Sequence, residues 1–330
     1  MILKISWNGG VQIEYGDIKL ILDSKRNSVD GSAFFISHGH VDHSASLKTK
    51  KPRKYSSRET LDIASTLGFR MANCFPVIAE KRIVMDDVEV IPHNSGHILG
   101  SLEYEIRTPE GIVLFTGDFN TEETKTMKPA ESVKCDILII EATFGSPNFV
   151  FPSVDEIGAE MIKWTEKTLK YGRIPAFQTD PLGNAQEIIK IFNEAGIHVV
   201  THWKVTRMSK IYESYGHRLE YFDEESREAK EIKKQGRFIY IIPKNLNVSI
   251  PRIETALVSG WACLFRRKGF PLSDHADFPR LVRFIEECKP NVVLTCHGGR
   301  FNEVLARYIE KRMRIRAYPI SLIPTRICKF

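Results

Sequence analysis

The chain has 330 residues, room for one large domain or two, with 42% hydrophobic and 27% charged side chains. That balance excludes a disordered chain, and no apolar run reaches the roughly 18 residues that suggest a membrane span. A net charge of +6 permits a polyanionic partner without requiring one. The start, "MILKISWNGG", has no signal-peptide apolar region. Six scattered cysteines form no C-x-x-C pair, so the expectation is a reduced, cytoplasmic protein without a structural zinc knuckle.

In chain order, "LKISWNGGVQIEYGDIKLILD" alternates apolar and polar residues around "YGD", as a meander of strands does. Then "SAFFIS" ends at His38, "VEVIPH" leads through a short loop to His97, and "GIVLFTG" ends at Asp118. "DILII" ends at Glu141, and much later "NVVLTC" ends at His297. Each of these strand-like runs delivers a ligand or acid–base group at or just beyond its C-terminal end. In layered α/β folds this is where functional groups collect. Between them, "FPSVDEIGAEMIKWTEKTLKYG" reads as a helix opened by a Ser153–Glu156 capping box and stopped by Gly172. A strand "IPAFQ", a loop "TDPLGN", a helix "AQEIIKIFNEAG", a strand "IHVV" and a polar stretch over 201–237 follow. This β–α–β grammar predicts a small α/β unit over 149–255, set into a core formed by 1–148 and 256–330. From Ala256 the pattern returns to that core with "ALVSG", and "FPRLVRFIEEC" reads as a helix capped by Asp277, with Pro279 in its first turn.

"HGHVDH" packs three histidines and an aspartate into six residues, in a chain with ten histidines in all. Imidazole fills a core poorly; metal binding is the economical explanation. His38, His40, Asp42, His43, His97, Asp118 and His297 would make a two-metal set of imidazoles and carboxylates, a donor mixture that suits zinc, with manganese also accommodated. One segment cannot comfortably wrap a single ion with four side chains. His38 and His40, completed by His97, would serve one ion; Asp42 and His43, completed by His297, the other, with Asp118 bridging. Such a pair activates a shared water and clamps both oxygens of an in-line displacement, as phosphodiester hydrolysis requires.

The same residues carry a resemblance. "HGHVDH" resembles the H-x-H-x-D-H motif of the metallo-β-lactamase superfamily, with Asp23 of "LILDS" at the place of its early structural aspartate. "SGHILGS" and "FTGDFN" resemble its later segments. "IIEATFG", "PLGNAQEI", "LSDHADF" and "LTCHGG" narrow the resemblance to the β-CASP nucleases, and "EATFGSP" and "GFPLSDHADFPRL" look closest to ligase-associated DNA exonucleases and archaeal Artemis-like relatives. The inserted unit is short and no appended RNA-binding module is visible; His297 in the last motif is unlike the Artemis branch. The resemblance implies an αββα metallo-β-lactamase sandwich with an inserted β-CASP domain, two divalent metal ions, and a nuclease acting on DNA. RNA processing is the alternative, with small-molecule hydrolysis or an inactive binding subunit further behind. DNA-repair proteins would be its partners. It assigns Asp42 and Asp118 to catalysis, His275 as general acid toward the leaving oxygen, and Glu141 as the carboxylate holding the His275 ring.

Plainer readings stand beside these. Asp118 could be a strand-end turn residue, Glu141 a capping carboxylate and His275 a helix-start contact. His93, His198, His202 and His217 are read as core or surface histidines. The basic run from Lys48 to Arg58, with Lys51, Arg53 and Lys54, is either a solvated loop or a phosphate contact, and Arg266, Arg267 and Lys268 are the favoured nucleic-acid contacts.

Overall fold

The structure is a computed structural model and describes residues 2–25, 31, 33–50, 52–246, 251–265 and 268–323. The alternating N-terminal segment forms three antiparallel strands, Lys4–Trp7, Val11–Tyr15 and Ile18–Leu22. Parallel strands Ala33–Phe35, Arg53–Ser57 and Cys74–Val77 extend them into a six-stranded sheet in chain order. A second sheet of seven strands runs from Arg316–Pro319 through Val292–Cys296, Ile137–Glu141, Gly111–Phe115, Leu102–Thr108 and Val88–Asn94 to Ile83–Met85.

One apolar core joins the two sheets. It takes Ile5, Val11, Leu20 and Phe35 from the first sheet and Val90, Tyr104, Phe115, Ile139 and Leu294 from the second. The outer face of the second sheet packs Leu138, Ile140 and Val293 against Leu281, Phe284 and Ile285 of helix Phe278–Cys288. On the outer face of the first sheet, Phe34 and Ile36 meet Leu61 and Ala64 of helix Arg58–Thr66. The result is a helix–sheet–sheet–helix sandwich, assembled because each sheet has two apolar faces to cover. It comprises Met1–Glu123, Lys128–Phe149 and His275–Phe330.

Thr124–Met127 and Val150–Asp274 form a second unit. Its sheet is wholly parallel, in the order Phe222–Asp223, His198–Thr201, Phe238–Pro243, Ile174–Thr179, Ile253–Val258, Gly269–Phe270. Helix Val154–Lys170 starts at the expected capping box, and Gly172 follows it at φ 67°. Two readings of the sequence change here. The polar 201–237 stretch contains helices Trp203–Ser214 and Arg227–Gln235, whose many charges lie on exposed faces and mask the periodicity. "ALVSG", read as a return to the first core, belongs instead to the second unit's sheet. Ala256 pairs with Phe177 and Leu257 with Gln178, so the expected junction at 255/256 falls inside a strand. Among the described residues, no helix is long and apolar enough to cross a membrane.

Candidate metal centre

The sandwich delivers its polar groups from strand ends. Asp23 follows Ile18–Leu22, His38 follows Ala33–Phe35, Asp118 follows Gly111–Phe115, Glu141 closes its own strand and His297 follows Val292–Cys296. Two glycines let these ends converge. A Cβ on Gly117 (φ 56°) would stand 2.6 Å from the Ser37 Cβ, and one on Gly298 would stand 2.1 Å from the Ala142 carbonyl oxygen. His297 itself takes φ 58°, unusual for a residue with a Cβ, and its ring lies 5.9 Å edge-on from Trp7.

His38, His40, His97 and Asp118 offer ligand atoms that all lie within 4.8 Å of one another; so do His43, Asp118 and His297. Asp118 is common to both sets. Its Oδ2 lies 3.6 Å from His38 Nε2 and 3.3 Å from His43 Nε2, and its Oδ1 lies 3.6 Å from His297 Nδ1. Both His38 Nε2 and His97 Nε2 approach His40 Nδ1 at 3.1 Å. Asp42 stands outside these sets. It is exposed, with Oδ2 3.6 Å from His43 Nε2 and 4.0 Å from Lys25 Nζ.

Behind the ligands sits a layer of holding groups. Asp23 accepts hydrogen bonds from Ser37 N (2.8 Å) and Ser37 Oγ (2.5 Å), and pairs with His43 Nδ1 (2.8 Å). Ser37 Oγ also meets His38 Nδ1 at 2.8 Å. With their Nδ1 atoms occupied, His38 and His43 turn Nε2 toward Asp118, as histidine ligands do when a second group fixes the ring. Ser37 carries no signal in the sequence beyond its place before His38.

Electrostatics follow the burial. Desolvation, reinforced by the neighbouring His43 and His97, holds His38 well below the ordinary imidazole range, so it is a neutral ring. At His43 burial works the same way, but Asp118 and Asp23 overcome it and raise the imidazole well above its ordinary value. For the Asp118 carboxyl burial acts in the opposite sense and would raise the pKa; His43, His297 and His275 outweigh it and keep the carboxylate ionised. Asp118 Oδ1 and His297 Nε2 are buried and make no hydrogen bond. Uncompensated buried polar atoms are costly, and the several imidazole nitrogens converging here cannot all satisfy one another. A divalent cation bound by nitrogen and oxygen donors fits this donor set.

Beside the cluster, His275 Nδ1 lies 2.9 Å from both oxygens of buried Glu141, which also accepts hydrogen bonds from Phe119 N (2.9 Å) and Thr143 Oγ1 (2.5 Å). The His275 ring is 4.5 Å from that of His97.

The basic residues fare differently. Lys51, Arg266 and Arg267 lie outside the described residues. Arg53 is exposed, and Lys268 is exposed with Nζ 4.4 Å from the Phe270 ring centroid. Lys54 is a correction: its side chain is buried, burial lowers its ammonium pKa, and Nζ donates to the Pro52 carbonyl at 2.8 Å. The strand pleat turns Lys54 inward, away from any phosphate.

No family model matches the chain. It is 28% identical over 279 residues to a probable DNA ligase from Opitutus terrae, covering 80% of this chain and 26% of that protein. To an RNase J-like protein from Methanocaldococcus jannaschii it is 26% identical over 234 residues, covering 62% of this chain and 54% of that one. To Endoribonuclease YSH1 from Gibberella zeae it is 28% identical over 195 residues, 48% of this chain and 23% of that protein. The chain thus spans from about a quarter to about half the length of these relatives. A crystal structure of a protein of unknown function from Enterococcus faecalis shares the fold, with a TM-score of 0.68 at 14% identity over 99% of this chain and all of that one. The chain is a homologue of the metallo-β-lactamase-fold nucleases of the β-CASP family.

Proposed function

We propose that this chain is a metal-dependent nuclease that hydrolyses phosphodiester bonds of DNA. Two overlapping His/Asp ligand sets sharing Asp118 support this reading most directly. His38, His40 and His97 would hold one divalent cation, His43 and His297 the second, with Asp42 joining His43 and Asp118 shared. We take both ions to be zinc. Bound, such a pair supplies Lewis acidity toward a phosphoryl oxygen and a nucleophile drawn from water near neutral pH. The protein's own groups do the rest. Asp23 and Ser37 lock the two imidazoles, and Glu141 orients His275 so that its Nε2 can give a proton to the leaving oxygen. Arg53 and the 266–268 cations would hold backbone phosphates, and the second unit would be the inserted β-CASP domain.

DNA is favoured because the match to the probable DNA ligase extends over 80% of this chain. RNA is the second reading, favoured by relatives named as ribonucleases. The test is incubation of the purified protein with 5′-labelled single-stranded DNA, duplex DNA and RNA, with Zn²⁺, Mn²⁺ or EDTA. Cleavage of DNA that EDTA abolishes is expected. Cleavage indifferent to EDTA would refute the mechanism, and preferential cutting of RNA would replace the first substrate with the second.

A further inference from the structure

Helix Trp203–Ser214 of the second unit has an exposed face unlike those of its neighbours. Its exposed residues are Trp203, Lys204, Arg207, Lys210, Glu213 and Ser214. Helix Val154–Lys170 mixes Asp155, Glu156, Glu160 and Glu166 with its exposed lysines, and Arg227–Gln235 sets Glu228 and Glu231 among its cations. On Trp203–Ser214 three cations at i, i+3 and i+6 meet no acid before Glu213, whose carboxylate is held by the Tyr221 hydroxyl at 2.7 Å. None of the three is in an ion pair among the described residues. Like charges at this spacing repel across one face, and a lysine in a first turn without any acid opposes the helix dipole. At the head of the stripe Trp203 is 49% exposed, with Lys204 Nζ 5.5 Å from its ring centroid and the His202 ring 5.5 Å away. Glu224, a carboxylate at the helix start, accepts the Trp203 N–H at 3.3 Å and also bonds the Tyr240 hydroxyl.

We infer that this helix face is a docking surface for single-stranded DNA, with Trp203 stacking on an unpaired base and Lys204, Arg207 and Lys210 holding backbone phosphates. The inference rests on the proposal that the substrate is nucleic acid. Three residues of helix advance about 4.5 Å, so the cations span about 9 Å, a reach that covers neighbouring phosphates of an extended strand. A surface pairing a stacking ring with a row of cations suits a strand whose bases are open, because a duplex hides the faces that would stack.

The test uses the full chain in EDTA, where the strand is not cut, and fluorescein-labelled oligothymidylate titrated by anisotropy across salt concentrations. Trp203→Ala is expected to raise Kd about 5- to 100-fold and to remove the tryptophan quenching that binding causes, while Trp203→Phe keeps most of the affinity. The triple variant Lys204→Gln, Arg207→Gln, Lys210→Gln is expected to reduce the slope of log K against log salt by about 2. With Zn²⁺ restored, every variant should hydrolyse bis(p-nitrophenyl) phosphate at the wild-type rate. If wild-type protein cuts and binds DNA but the variants bind with unchanged Kd, quenching and slope, the docking surface is refuted and the nuclease reading survives. If wild-type protein neither binds nor cuts nucleic acid, both fall. Binding through these residues by RNA alone would overturn the assignment to DNA.

Discussion

Replacing Asp23 by asparagine probes the layer behind the ligands with little disturbance elsewhere. The residue is buried and takes φ 47°, a conformation asparagine adopts at least as readily as aspartate. Its carboxylate serves Ser37 N, Ser37 Oγ and His43 Nδ1. An asparagine oxygen can still accept from Ser37, but its amide group would point N–H donors at either the Ser37 hydroxyl or the His43 ring. The substitution therefore removes a charge-assisted hydrogen bond, worth about 1.5–3 kcal/mol. Expressed as metal affinity this is roughly 10- to 100-fold, the size seen when the orienting partner of a histidine ligand is removed. Competition of Zn²⁺ binding against a chelator measures it directly. A second readout follows from charge. In the metal-free protein burial disfavours the His43 imidazolium, yet Asp118 and Asp23 raise its pKa well above the usual value, so metal must displace a proton. With Asp23→Asn the imidazolium loses one supporting carboxylate, so fewer protons should be released on metal binding at pH 7. Unchanged affinity and unchanged proton release would show that Asp23 does not hold His43 as a ligand.

Two further outcomes are expected. Glu103 is fully buried with neither carboxylate oxygen hydrogen-bonded, and desolvation raises its pKa well above the ordinary carboxylate value. A carboxyl raised on folding contributes most below its unfolded pKa and loses about 1.4 kcal/mol per pH unit between the unfolded and folded values. Glu103→Gln should therefore raise Tm more at pH 8 than at pH 4; an equal shift at both would refute a buried neutral acid. Gly298→Ala would place its Cβ 2.1 Å from the Ala142 carbonyl oxygen and 2.6 Å from the Ala142 Cβ. It should cost about 2–3 kcal/mol, lower Tm by roughly 5–10 °C and weaken metal binding at His297, whereas an unchanged Tm would mean the loop relaxes freely.

How much of this the sequence reveals depends on where each signal resides. His38, His40, Asp42 and His43 sit within one short segment, so their spacing alone suggests metal. Asp118, Glu141 and His297 are legible because each ends an apolar run, and His97 because such a run leads to it through a short loop. Asp23 pairs with Ser37 and His43, 14 and 20 residues further along the chain, and no local pattern records such pairing. Lys54 reads as a phosphate contact because it stands in a basic run; the pleat of its strand, set by pairing with neighbours on both sides, decides its direction instead. The helices within 201–237 are hidden by charge on their solvent faces. The strand over 253–258 is split by the expected junction at 255/256 because buried apolar runs from parallel strands of either unit look alike.

Asp118, common to both ligand sets, is proposed to serve two cations. The most direct measurement is the metal content of protein reconstituted with Zn²⁺ and freed of excess ion, with Asp118→Asn beside the wild type. Two equivalents per wild-type chain, a marked loss at both sites in the variant and cleavage lost with them are predicted. A single equivalent that survives Asp118→Asn, with cleavage retained, would contradict it.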